Sequence, residues 1–218
     1  MYTAFNSGGL VDRGTRLYSL AAGAIPDFWL ALILIYFLYY SLGWLPAPVG
    51  RIGFLIESPN HITGFYTIDS LLTLNFNAFF SSVSHLILPV LSLTLVWSGL
   101  VIRMTRSILD EILESEFIIH AKANGLPKKI IWKYAFRNAS PPIMTIIAVV
   151  YGFLLGGAVL IEQVFSWNGL GQYAVLTIAR ADYAAIQGFV LIASIFTLLL
   201  YVFLDILYSI IDPRIYFE

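Results

Sequence analysis

Residues 103–137 read RMTRSILDEILESEFIIHAKANGLPKKIIWKYAFR, a polar, helix-patterned stretch set between two long apolar runs. The stretch carries seven of the chain's twelve Lys and Arg residues and four carboxylates, Asp110, Glu111, Glu114 and Glu116. So many charges are too costly to hold in hydrocarbon, so the stretch stands in water between two membrane-crossing segments. Ile108, Leu109, Ile112, Leu113, Phe117 and Ile119 recur at three- and four-residue spacing and predict one helix with an apolar stripe, the acids lying opposite. That helix is expected to stop at Asn124-Gly125, because a glycine just past the cap takes a left-handed conformation without strain. Pro127 suits the first turn of a second helix, where its missing N–H costs nothing. On that helix Lys129, Lys133 and Arg137 lie four apart beside Ile130, Ile131, Tyr134 and Ala135. Two short helices joined by a tight corner are expected. As a charged linker, its lysines would touch anionic headgroups at about 1 kcal/mol each; as a docking element, it would enter a groove on a partner protein.

The 218-residue chain as a whole is 59% hydrophobic and 11% charged, with a mean hydropathy of +0.84. A soluble domain carries about 25% charged residues, so the composition describes an integral membrane protein. The expected fold is all-α, a polytopic transmembrane helical bundle forming one domain over residues 1–218. A hydrocarbon core of about 30 Å takes about 20 helical residues. Four spans follow, at about 20–45, 85–102, 142–161 and 184–211, with long outer loops at 46–83 and 162–183. The loop at 46–83 has room for one short interfacial helix. Tyr40 and Trp44 fall where an aromatic belt meets the interface. The segment MYTAFNSGGLVDRG lacks the basic-then-apolar order of a signal peptide, so insertion is expected to rely on the internal spans.

Four spans place both termini on one side. With residues 103–137 on that side, it collects ten of the basic residues and leaves Arg51 and Arg180 on the other. The excess of Lys and Arg marks the cytoplasmic face.

Catalytic signatures are missing: no GxxxxGK[ST], HExxH or GxSxG occurs. Cysteines are absent, and His61, His85 and His120 are scattered, so neither a metal nor a cofactor is expected, and no nucleic-acid partner. Ala148, Gly152 and Gly156, followed by Gly157, repeat at four-residue intervals, a spacing that lets helix backbones approach closely, within the chain or against a second subunit. Asp27 and Asp205 lie near membrane depth and are expected either to pair with an arginine such as Arg103 or Arg106 or to meet a substrate amine. Asp212-Pro213-Arg214 reads as a helix stop at the cytoplasmic surface. In the second outer loop, Phe165, Trp167 and Tyr173 are expected at the interface, with Gly169 and Gly171 allowing a tight re-entrant turn after Glu162.

Four segments, in order, carry a resemblance to a known family: IPDFWLALILI from Ile25, HAKANGLPKKIIWKYAFRNASPPI from His120, EQVFSWNGLG from Glu162 and LDILYSIIDPRI from Leu204. The second resembles the coupling-loop motif of permease subunits of ABC importers, and most of all the dipeptide/oligopeptide branch. Ala121, Gly125 and Leu126 match the motif's small-residue and turn positions; Ile119 stands where many other ABC importers have an acidic residue. The resemblance implies that residues 103–137 form a cytoplasmic helix-turn-helix coupling loop. Its core, His120, Ala121, Lys122, Ala123, Asn124, Gly125, Leu126 and Pro127, would sit in a cleft of an ATPase subunit. It also implies a second homologous permease, two cytoplasmic ATP-binding subunits and an extracytoplasmic binding protein delivering cargo to a mouth near Glu162, Phe165, Trp167, Gly169 and Gly171. The setting would be a prokaryotic cell membrane and the cargo peptides; the same family importing nickel or oligosaccharides, and a non-ABC channel or scaffold, are the alternatives. Such permeases usually have two more spans before the region that begins here at about Gly9, which makes a fragment, a misplaced start or a shortened subunit the expectation for this chain.

Overall fold

The structure is a computed structural model describing residues 8–211. No strand occurs among them. The helices are α1 (Leu10–Ala24), α2 (Asp27–Leu34), α3 (Tyr66–Leu72), α4 (Phe76–Leu113), α5 (Glu116–Ala123), α6 (Lys128–Gly157), α7 (Val159–Val164), α8 (Leu170–Ala179) and α9 (Tyr183–Ile211), and α2 runs on into a π-helical segment, Ile35–Ser41. Two of them, α4 and residues Tyr183–Leu204 of α9, are long and apolar enough to cross a membrane, and α1 with α2 and its π segment makes a third if the pair is taken as one span.

The first apolar run, expected as one span from residue 20, is instead interrupted. Pro26 has no N–H to give a helix and pushes the residue before it out of the helical region, so α1 ends at Ala24 and Pro26 caps α2 with extended backbone. Helix α1 also begins ten residues earlier than the hydropathy alone indicates, at Leu10. Prolines deeper in helices are absorbed: Pro89 lies within α4, and Pro141 and Pro142 within α6. Pro141 leaves the carbonyl of Arg137 without its helical donor, and the Ser140 hydroxyl donates to that oxygen at 2.9 Å.

The expected outer loop at 46–83 is shorter than its sequence suggests, because α3 and the first turns of α4 lie inside it. The loop at 162–183 likewise contains α8. The third expected span corresponds to the latter part of α6, which ends at Gly157 before the short α7.

The chain forms two compact units. The first takes the described parts of Met1–Ala24, Trp97–Leu155 and Val190–Glu218. Its core holds Leu109 on α4, Ile118 on α5 and Ile131 and Ala135 on α6, with Ile112, Leu113 and Leu126 packed around Ile118. Here α1 and α4 touch closely: a Cβ on Gly99 would stand 2.6 Å from Cβ of Ala22. Tyr18 and Ser98 share a hydrogen bond of 2.6 Å, and Trp97 stacks on Phe153. The second unit, Ile25–Val96 with Gly156–Phe189, is built around Ala31, Leu88, Ile161 and Phe165.

Candidate functional site

In the first unit, α4 does not stop at the apolar boundary but continues past Arg103 to Leu113. The expected single helix over the first half of the polar stretch is therefore two, broken at Glu114–Ser115. The cause is local: the Ser115 side chain and backbone N–H both turn back to the Ile112 carbonyl, and Ser115 then caps α5 with extended backbone. Lys122 donates from Nζ to the Leu113 carbonyl at 3.2 Å, filling one of the acceptors left open where α4 ends.

Helix α5 ends at Ala123, with Asn124 as its cap and Gly125 at φ +71°. The N–H of Leu126 donates to the Ala121 carbonyl at 3.1 Å and that of Gly125 to the Lys122 carbonyl at 3.0 Å. These two bonds and the left-handed glycine make a Schellman motif. Its apolar seal is Leu126, packed against the cluster of Ile118, Ile131 and Ala135. Helix α6 starts at Lys128, and the Pro127 carbonyl accepts from Ile130 at 2.9 Å. Of the residues singled out here, His120, Lys122, Ala123, Asn124, Gly125 and Pro127 are exposed, Leu126 is half-buried and Ala121 is buried. Ala121 thus holds the turn from inside, while its neighbours form the surface. Lys128, Lys129, Lys133 and Arg137 are exposed beside the corner.

The contact of α1 with α4 in this unit contains a group that pattern reading passes over. Asp12 on α1 is 2% exposed and pairs with Arg106 of α4 and, at 3.4 Å, with Arg16. The N–H of Gly8 donates to the same carboxylate at 3.0 Å. Arg106 also reaches Asp110 at 3.3 Å. The sequence signal was there, since Asp12 and Arg16 are four apart on α1 just as Arg106 and Asp110 are on α4, but that spacing also fits two independent surface pairs. Asp27 accepts from the N–H of Phe28 at 2.8 Å, at the start of α2. The side chain of Asp205 and residues 212–214 lie outside the described residues.

Along the small-residue stripe, Ala148 is buried, but a Cβ on Gly152 would meet nothing within 4 Å. The close helix approach expected at Gly152 is not made by this chain's described residues. The corresponding details of Gly156 and Gly157 lie outside the description.

In the second unit, Glu162 organises its loop. Its Oε2 accepts from the Gln172 N–H at 2.8 Å, and the Trp167 N–H donates to its carbonyl at 2.8 Å. Gly169 and Gly171 do not make the tight turn; the left-handed residues are Ser166 and Asn168. The glycines serve close approach instead. A Cβ on Gly169 would stand 2.6 Å from the Glu162 carboxylate, and one on Gly171 would stand 2.7 Å from Cγ2 and 2.9 Å from Cα of Val159. Phe165, expected at the interface, is a core residue at 2% exposure, because its ring closes the cluster of Ala31, Leu88 and Ile161. Trp167 packs against the same cluster and Tyr173 is exposed.

The loop before α4 in this unit is tied by Asp69. Its carboxylate accepts from Thr63 Oγ1 at 2.6 Å and from the N–H groups of Thr63, Gly64 and Ile62. Burial alone would raise this carboxyl, but the four hydrogen bonds, led by the Thr63 hydroxyl, outweigh it and lower it to about 2. Arg51 adds a guanidinium over the Tyr66 ring, 4.5 Å from its centroid.

A family model described as binding-protein-dependent transport system inner membrane component matches residues 1–216. The chain belongs to this family. Among curated relatives of this inner membrane component is the di/tripeptide transport system permease protein DppB of Pseudomonas aeruginosa (strain UCBPP-PA14), 39% identical over 97% of this chain and 63% of the relative. The probable D,D-dipeptide transport system permease protein DdpB of Escherichia coli (strain K12) is 40% identical over 94% of this chain and 60% of its own length. The dipeptide transport system permease protein DppB of Alkalihalophilus pseudofirmus (strain ATCC BAA-2126 / JCM 17055 / OF4) is 36% identical over 98% and 64%. The chain spans about three-fifths of the length of these relatives. An inner membrane component of this family is a transport subunit, and the apolar helices agree with that setting.

Proposed function

We propose that the chain is the membrane-spanning part of an ATP-driven peptide importer, and that the corner Asn124–Pro127 is where cytoplasmic ATPase subunits act on it. The observation that carries this is the corner itself: a Schellman turn with an exposed rim and a buried base, placed between the short α5 and the long α6, which continues into apolar sequence. Such a surface is built to be gripped. On this reading the ten basic residues and both termini face the cytoplasm, and ATP is hydrolysed on partner subunits. A second permease packs beside this one, and an extracytoplasmic binding protein delivers cargo near the Glu162 loop. The peptide cargo is supported by the named substrates of the relatives, which are di/tripeptide, D,D-dipeptide and dipeptide systems. Switching then consists of two arrangements of one packed helix set, biased by the ATPase at the corner.

Gly125→Val in the full-length permease tests it. The left-handed backbone is costly for a β-branched residue, by about 1–3 kcal/mol, yet no atom lies within 4 Å of the new Cβ to disturb the fold. The variant is expected to insert normally, to lose co-purifying ATPase and to lose uptake. Normal uptake would overturn the coupling role.

A further inference from the structure

Between α1 and α4 of the first unit lies a pocket of about 330 Å³ that the coupling reading leaves unused. We propose that it holds the phosphate of an anionic phospholipid. Arg16, Arg103 and Arg106 are all among its lining residues. Arg16 and Arg106 share the buried carboxylate of Asp12, and Arg106 also takes Asp110. Arg103 has no carboxylate within ion-pair distance among the described residues, although it is long enough to reach along α1 as far as Gly23, where an added Cβ would be 3.6 Å from its Nη2. Among the described residues three cations stand against two carboxylates, an excess of one positive charge, which a single phosphodiester neutralises. Ser107 in the same lining adds a hydroxyl donor.

The lining of the pocket separates a lipid from a free anion. Leu20 opens the apolar run of α1, and Ile102 closes that of α4; both belong to the pocket's apolar lining. Arg106, Ser107 and Asp110, further along α4 in the polar stretch, belong to its polar lining. An amphiphile with its charge beside the arginines and its chains beside Leu20 and Ile102 matches both parts, whereas a free phosphate leaves the apolar part unused. Basic pockets between transmembrane helices recognise lipid head groups by this logic. With the orientation proposed above, the lipid comes from the inner leaflet. The assignment does not depend on what the protein transports.

The test is native mass spectrometry of the full-length protein purified in detergent, counting retained phosphatidylglycerol and cardiolipin against phosphatidylethanolamine. Wild type is expected to retain one anionic lipid and to release the zwitterionic one. Arg103→Gln should weaken retention about fivefold, the effect of one arginine near a membrane surface. Ser107→Glu, which leaves every ion pair in place, should abolish it, so the proposal stays testable if Arg103→Gln folds poorly. Lys129→Gln, on the corner's basic helix, should change nothing. Equal retention in Arg103→Gln and Ser107→Glu would overturn the proposal, and so would equal loss in Lys129→Gln. Displacement of the lipid by inorganic phosphate alone would reassign the pocket to a free anion and overturn the lipid.

Discussion

Arg106 of α4 reaches across to Asp12 of α1 and pairs with a carboxylate that is almost wholly out of solvent. Removing Asp12 takes the buried partner from Arg106 and leaves it only the more exposed Asp110 at 3.3 Å, a loss bounded above by the cost of a fully uncompensated buried charge, about 3–5 kcal/mol. Asp12→Ala is therefore expected to lower the unfolding temperature sharply in detergent. Asp12→Leu combined with Arg106→Met should recover most of the loss. A double variant no better than the worse single one would show that the pair does not act as a unit.

Gly171 and Gly169 should differ in what alanine does to them. At Gly171 the new methyl would meet Cα of Val159, backbone that cannot step aside, so Gly171→Ala should destabilise by about 1–3 kcal/mol. At Gly169 the three nearest atoms all belong to the Glu162 carboxylate, which can swing away, losing its bond from the Gln172 N–H at a cost of about 1.5–3 kcal/mol at most. Glu162→Gln in the Gly169→Ala background should then add little, as read by thermal unfolding. Additive losses would show that the carboxylate keeps its bond.

Asp69 sets an acid limit for the loop at residues 62–69. Its carboxyl is lowered in the folded chain to about 2 from an ordinary 3.8, so the charged form is what the fold stabilises. That contribution is complete above the ordinary value and fades as pH falls from about 4 toward 2. Hydrogen exchange of the Thr63 and Gly64 amides should be insensitive to pH changes around neutrality once intrinsic rates are corrected, and should lose protection within the acid window. Asp69→Asn should show the low-pH pattern at neutral pH; full protection in that variant would remove Asp69 as the tie.

Gly152 offers a separate check on assembly. Because an added Cβ there meets nothing within 4 Å among the described residues, Gly152→Leu should leave folding unchanged to within about 0.5 kcal/mol. If the stripe faces a second permease, the same variant should fail to co-purify with it. Unchanged pairing would place Gly152 against lipid.

The sequence was a good guide where one local rule decides the outcome. The stop at Asn124-Gly125 follows from a single glycine in the left-handed region, and the helical start at Lys128 follows from Pro127. It was a poor guide where two local rules compete. The apolar stripe from Ile108 to Ile119 passes unbroken through Glu114–Ser115, because periodicity does not register a side chain turning back on its own backbone. Phe165 resembled an interfacial aromatic because hydropathy does not distinguish a ring at a surface from one closing a core. Asp12 went unread because its partner, Arg106, is far away in sequence. Glycines 169 and 171 were noticed, but for the wrong reason: their service is to lack a methyl, not to bend the chain.

Leu126 sits in a cluster supplied by three helices at once, Ile112 and Leu113 from α4, Ile118 from α5, and Ile131 and Ala135 from α6. A turn anchored that way has no slack of its own. A push on its exposed rim cannot be spent in bending the loop, and is handed to the two long helices together, like a load on a bracket bolted to both posts. In the coupling role proposed above the corner would serve as a stiff lever, and changes that hollow out its seat, such as Leu126→Ala, should then soften the stroke without touching the surface that receives it.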